Sequence, residues 1–333
     1  MTVVVKLGTS LVVGPGGAPR RSVLRRRAGE IGAVVRGGEP VVVVSSGAIA
    51  LGLPYLGLTR RPRAVPKLQA ASALGQARLQ RAWELALAPE GLHAAQILLT
   101  AGDVADRAAY VNAGNVLRAL FALEAVPIVN ENDATATDEI TFGDNDALAA
   151  YVAVLVRARL LVLLTEVEGV HTLAPGTPGA ELLAEGSAAR LAVLEGASGL
   201  GRGGMRSKVL AAEMAAAAGI PTVIAAGEPR GTRFHPQGGE LPAYKLWLRF
   251  GKKVGGRLHV DEGARRAVVR EGRSLLAVGV ESCDGRFEAG DAVELVGPDG
   301  APFAKGIAGA AAAEIAERPR GLEAVHRDRL VVY

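Results

Sequence analysis

Cysteine is almost absent from this sequence: Cys283 is the only one in 333 residues. That excludes an intramolecular disulfide and a zinc site built on paired cysteines, and it suits a reducing compartment such as the cytoplasm. Aromatic residues are scarce too, at 4%, so the core has to be assembled from Ala, Val and Leu rather than from rings. Long apolar runs are missing. The longest, Ala147 to Val156, meets Arg157 at about half of the roughly 20 residues that a membrane helix needs, so no membrane association is expected. Met1 and Thr2 lead straight into Val3, Val4 and Val5, so no secretory leader is expected. His93, His171, His235, His259 and His326 show no ligand spacing, and no protein-built metal site is expected.

A large charge of one sign is lacking as well. The net charge is +4, and basic residues outnumber acidic ones by 23 to 21 in residues 1–244 and by 15 to 13 in the remainder. Neither part is therefore a basic, nucleic-acid-binding module, and no strand face rich in Arg and aromatics is visible.

What is present is an alternation. Thr2 to Val5, Val41 to Val44, Ala95 to Leu99, Val126 to Val129, Leu160 to Leu164 and Thr222 to Ala225 are short, largely apolar runs separated by longer Ala- and Leu-rich stretches. The pattern predicts an α/β fold with an open, mainly parallel sheet sandwiched by helices. At 333 residues a single core has stopped growing, so a second domain is expected. Gly227 to Gly256, with Pro229, Pro236 and Pro242, reads as the domain edge. Beyond it, Leu276 to Val280, Ala292 to Val296 and Leu330 to Val332 read as strands, with a hairpin turn at Gly297 to Gly300. The boundaries are 1–242 for the α/β domain, 243–256 for a linker and 257–333 for a small β-rich domain.

In open α/β sheets the ligand lies beyond the carboxyl ends of the strands, and the residues there are polar: Lys6 to Ser10, Ser45 to Ala48, Thr100 to Asp103, Asn130 to Asp133 and Thr165 to Gly169. Lys6, followed by Gly8, Thr9 and Ser10, suits a phosphate cradle; a lysine that merely closes a strand fits its position equally. Ser45 to Ala48 reads as an anion-binding helix start or as ordinary serine capping. Asn130 to Asp133, with Gly143, Asp144, Asn145 and Asp146 closing the same loop, carries more carbonyls and carboxylates than turns require, which points to a substrate loop. The run SGLGRGGMRSK, Ser198 to Lys208, matches neither a Rossmann turn, because a helix and not a strand precedes it, nor a Walker A loop, because Lys208 follows Ser207. It reads as a glycine loop entering a helix whose first-turn lysine invites an anion.

Taken in order, VVVKLGTS, VVVVSSGAIALG, NENDATATDEITFGDNDALAA, LLTEVEGV and SGLGRGGMRSK resemble the glutamate 5-kinases of the amino acid kinase superfamily. The tail resembles the PUA domain appended to many of them. The resemblance implies phosphorylation of the γ-carboxylate of L-glutamate, the first step of proline synthesis, with ATP and with Mg²⁺ carried on the nucleotide. It implies Lys6, Lys208, Asp144 and Asp146 as catalytic residues, with Asp146 holding the two lysines, and Ser46, Asp133 and Asn145 as substrate ligands. For ATP it implies Lys6, Thr165, Glu166, Arg202, Gly203, Gly204, Met205, Arg206, Ser207 and Lys208. A homo-oligomer, dimeric or tetrameric, and feedback inhibition by proline are further implications. Relatives often carry Asp where Glu166 stands and small polar residues at Arg202 and Arg206. The tail is also short between Ile315 and Ala324, which argues against RNA binding by the PUA-like domain. The competing readings are an acetylglutamate, aspartate or carbamate kinase of the same superfamily, and an RNA-binding protein. The chemistry is consistent with the missing catalytic histidine, since a carboxylate of pKa about 4.3 is already ionised at neutral pH and needs no general base.

Overall fold

A computed structural model describes residues 1–135, 145–194, 204–227, 230–236, 243–246, 248–249, 252 and 254–333. They form two compact units, Met1–Ala243 and Tyr244–Tyr333.

The first unit runs β1 (Val3–Leu7), α1 (Thr9–Val12), α2 (Arg21–Arg36), β2 (Val41–Ser45), α3 (Ala48–Gly52), α4 (Val65–Leu87), β3 (His93–Leu99), α5 (Ala101–Ala105), α6 (Arg107–Ala122), β4 (Ala125–Glu131), α7 (Asn145–Leu155), β5 (Leu160–Leu164), α8 (Gly186–Leu194), α9 (Gly204–Ala217), β6 (Thr222–Ala225) and β7 (Thr232–Phe234). Its seven-stranded sheet has the order β3-β4-β2-β1-β5-β6-β7. All neighbours are parallel except β6 and β7. Leu7 sits beside Ser45 on one side and Leu164 on the other, so three strands end in line and deliver their following residues to one edge.

The period of two along β1 decides what faces what. Val5 and Leu7 join Val41, Val43, Leu24, Ile31, Leu79 and Trp83 in the core shared with α2 and α4. Lys6 points the other way, toward α7. Helices α7 and α9 are rich in buried alanine: Ala149, Ala150 and Ala153 on one, Ala211, Ala212, Ala215 and Ala216 on the other. Such small side chains bring helix backbones close to each other and to the sheet, as the shortage of aromatics led one to expect.

Two expected features differ. Within the stretch read as a domain edge, Thr232–Phe234 adds an antiparallel strand to the first sheet; three residues among glycines and prolines carry no readable period. The expected strand Leu276 to Val280 is broken into β9 (Leu275–Leu276), a 3₁₀ turn at Ala277–Gly279 and β10 (Val280–Gly285). A Cβ on Gly279 would lie 2.6 Å from the Ala264 side chain, so the turn is where a helix packs down on the chain.

The second unit also contains β8 (Val254–Val260), α11 (Glu262–Glu271), β11 (Ala292–Val296), β12 (Pro302–Ala308), α12 (Ala312–Ala316) and β13 (Glu323–Val332), preceded by α10 (Ala243–Leu246) at the boundary. Its six-stranded sheet has the order β10-β8-β11-β12-β13-β9. The pair β8 and β11 is parallel and the other pairs are antiparallel. The Gly297–Gly300 turn joins β11 to β12, closed by Gly300 N–H to Gly297 O at 2.9 Å. Val260, Val268, Leu275, Val293, Leu295 and Val325 belong to its core.

Candidate active site

Lys6, the fourth residue of a five-residue strand, is 2% exposed, and Asp146 in the first turn of α7 is fully buried. Lys6 Nζ lies 2.6 Å from Asp146 Oδ1. Lys208 Nζ approaches the same carboxylate from α9, at 3.0 Å from Oδ2 and 3.4 Å from Oδ1, and also donates to the carbonyl of Gly204 one turn earlier at 3.3 Å. Ser207 Oγ donates to Asp146 Oδ2 at 2.8 Å. One carboxylate thus gathers two ammonium groups and a hydroxyl from chain segments far apart in sequence. Charge-assisted bonds of this kind hold their donors in fixed positions. Further along α7, burial pushes the Tyr151 phenol well above its ordinary pKa, so it stays protonated.

Next to Asp146, Asn145 Nδ2 donates to Asn130 Oδ1 at 2.6 Å and to Ser46 Oγ at 3.1 Å. Asn130 Nδ2 in turn donates to Gln76 Oε1 at 2.8 Å, and Gln76 Nε2 reaches Gln96 Oε1 at 3.3 Å. A chain of buried amides therefore runs from α4 across β4 to Ser46. Ser72 Oγ donates to Asp133 Oδ2 at 2.6 Å. Trp83, fully buried, donates its indole N–H to Ser45 Oγ at 3.0 Å. Thr9, Ser46, Asn130, Glu131, Asp133, Asn145 and Arg61 are among the walls of a cavity of about 460 Å³ beside this network.

Neither Ser45 nor Ser46 caps a helix. Ser45 ends β2, and Gly47 is the N-cap of α3 with φ of 120°, a backbone shape that favours glycine. A Cβ there would also come within 3.0 Å of Val13. Thr100 to Asp103, polar and at a strand end, serve a local purpose. Thr100 Oγ1 accepts from Asp103 N–H, and Asp103 Oδ2 accepts from Thr100 N–H at 2.7 Å, closing a capping box on α5.

The expected nucleotide residues are placed as follows. Thr165 N–H bonds Ala225 O at 3.0 Å at the end of β5. Glu166 is half exposed and faces Arg20 at 3.8 Å. Gly204, Met205, Arg206, Ser207 and Lys208 open α9, with Arg206 exposed and Lys208 buried. Asp144, Arg202 and Gly203 lie outside the described residues. Among the described residues no group of three or more His, Cys, Asp or Glu side chains stands where it could hold a metal ion.

Residues of this network and cavity that sequence reasoning missed are Ser72, Gln76 and Arg61. The signal for the first two was Ser and Gln at an i, i+4 spacing in α4, buried at 4% and 8% exposure in an otherwise Ala- and Leu-rich face.

Two facing lysines joined by a carboxylate, at the carboxyl edge of a parallel sheet and beside a polar cavity, define a phosphotransferase of the amino acid kinase class. The Amino acid kinase family model matches residues 1–226, and the PUA domain model matches residues 256–328. Among solved structures, the carbamate kinase from Giardia lamblia bound to AMP-PNP shares the fold. It matches with a TM-score of 0.54 and 16% identity over 70% of this chain and 98% of that one. The finer assignment comes from closer relatives. The chain is 41% identical to the glutamate 5-kinase of Pelobacter propionicus over 99% of this chain and 97% of the relative. It is 43% identical to that of Mycobacterium avium over 99% and 96%, and 42% identical to that of Pseudomonas putida over 99% and 97%. The chain belongs to the glutamate 5-kinase family.

Proposed function

We propose that this protein transfers the γ-phosphoryl group of ATP to the γ-carboxylate of L-glutamate, giving L-glutamyl 5-phosphate and ADP, the entry step of proline biosynthesis. The observation that carries the reading is Asp146 drawing Lys6 Nζ and Lys208 Nζ to one point beside the Ser46, Asp133 and Asn145 cavity.

A γ-carboxylate oxygen attacks the γ-phosphorus, the bond to the β-phosphate oxygen breaks, and ADP leaves with its electron pair. The acceptor is ionised at neutral pH, so no proton has to be removed. The obstacle is bringing an anion onto a polyanion. Lys6 and Lys208 lower that repulsion and stabilise charge on the transferring group, and Asp146 fixes their spacing before substrate arrives. Mg²⁺ carried on the nucleotide supplies further charge neutralisation and needs few ligands from protein. Ser46 and Asn145 orient the acceptor, while Thr165, Glu166 and the start of α9 hold the nucleotide.

The test is purified protein with MgATP and hydroxylamine, which traps an acyl phosphate as a hydroxamate. Hydroxamate is expected from L-glutamate and not from N-acetylglutamate or aspartate; the reverse pattern would sink the reading.

A further inference from the structure

Arg61 is the one basic side chain among the described residues that line the cavity, whose acidic members are Glu131 and Asp133. It stands in the segment that leads into α4, and it is exposed. No described ion pair or hydrogen bond engages its guanidinium, whereas Asp133 already accepts from Ser72. Asn145 connects the cavity through Asp146 to the lysine end, where a γ-carboxylate would receive phosphate. The other end of L-glutamate carries an ammonium and a second carboxylate. Asp133 and Glu131 suit the ammonium, but the same two acids repel the carboxylate. A planar cation able to bind a carboxylate through two parallel N–H groups is what that end requires.

From this we infer that Arg61 binds the α-carboxylate of the substrate and sets specificity for an α-amino dicarboxylate. The inference rests on the proposed glutamate kinase activity. Arg61 lines the cavity away from the Lys6, Asp146 and Lys208 cluster, so its contribution falls on substrate binding rather than on the transfer step.

The experiment compares wild type, Arg61→Gln and Arg61→Lys in the hydroxamate assay, with L-glutamate as substrate and L-isoglutamine as competitor. L-isoglutamine keeps the γ-carboxylate and the ammonium but has an amide in place of the α-carboxylate. Arg61→Gln is expected to raise KM for glutamate about tenfold to a hundredfold, the worth of a hydrogen bond to a charged group. The fall in kcat should be far smaller, Arg61→Lys should recover part of the loss, and the inhibition constant of isoglutamine should move less than about threefold. Equal loss of both ligands, or an unchanged glutamate KM, would overturn the assignment. Wild type yielding no glutamyl hydroxamate sinks the kinase reading and this inference together, whereas an active wild type with an indifferent Arg61→Gln sinks the inference alone.

Discussion

Three side chains carry the proposed phosphoryl transfer: Lys6, Asp146 and Lys208. Because Asp146 is fully buried between two ammonium groups, Asp146→Asn leaves buried cations without their shared carboxylate. It is expected to cost about 3 to 5 kcal/mol of stability, read by urea denaturation, along with most of the activity. Lys208→Met should separate the two effects. Stability changes less, while kcat in the hydroxamate assay falls about 100-fold to 1000-fold, the usual loss for one donor to a developing negative charge; retention of more than a tenth of wild-type kcat would remove Lys208 from the transfer step. Each lysine was visible in the sequence as a cation beside glycines, but position alone did not tell Lys6 from a strand-closing residue. Their meeting at Asp146 was implied by the family resemblance and not by spacing, since 62 residues separate Asp146 from Lys208. Arg61 was not legible at all, and Gln76 only as a polar residue four positions after Ser72. An arginine before a proline and a glutamine in a long helix look like ordinary solvent-facing residues until the fold puts the first on a cavity wall and the second against Asn130.

At the level of elements, the close approach of α3 and α4 positions the cavity wall proposed to take the acceptor. A Cβ on Gly75 would stand 1.8 Å from Ala48 O, and one on Gly52 would stand 1.8 Å from Ala71 O. Both contacts are with backbone, which no rotamer change can relieve. Gly75→Ala is therefore expected to destabilise the first unit by about 3 kcal/mol, the upper range for overpacking. By displacing α3 just after Ser46 it should also raise KM for glutamate more than KM for ATP; paired steady-state kinetics and thermal melting check both effects. The strands of the first sheet were readable because buried parallel strands are short, largely continuous apolar runs. Leu160–Leu164 and Thr222–Ala225 have the same limits in the sequence pattern and in the fold. β7 and the break at Ala277–Gly279 were unreadable because they depend on neighbours distant in sequence. The capping box at Thr100 shows the converse, a polar strand end occupied entirely with its own helix.

The whole molecule joins two units with separate sheets and cores, so their stabilities need not respond alike to pH. In the second unit Lys305 is 5% exposed, and its ammonium donates to the carbonyls of Lys252 and Arg249. Burial lowers its pKa from 10.5 to about 8. Between those values the unfolded chain binds the proton that the folded chain releases, so this group's contribution to stability rises with pH from about 8 to 10.5. Measured across that range by denaturation, the stability of wild type relative to Lys305→Met should increase with pH; a flat difference would contradict the shift. Tryptophans stand at positions 83 and 247. Trp83 donates to Ser45, the neighbour of the cavity-lining Ser46, from a fully buried position. That indole is thereby an optical reporter wired to the proposed acceptor pocket. With Trp247 replaced by Phe, the emission of Trp83 should follow glutamate occupancy in real time without any attached dye.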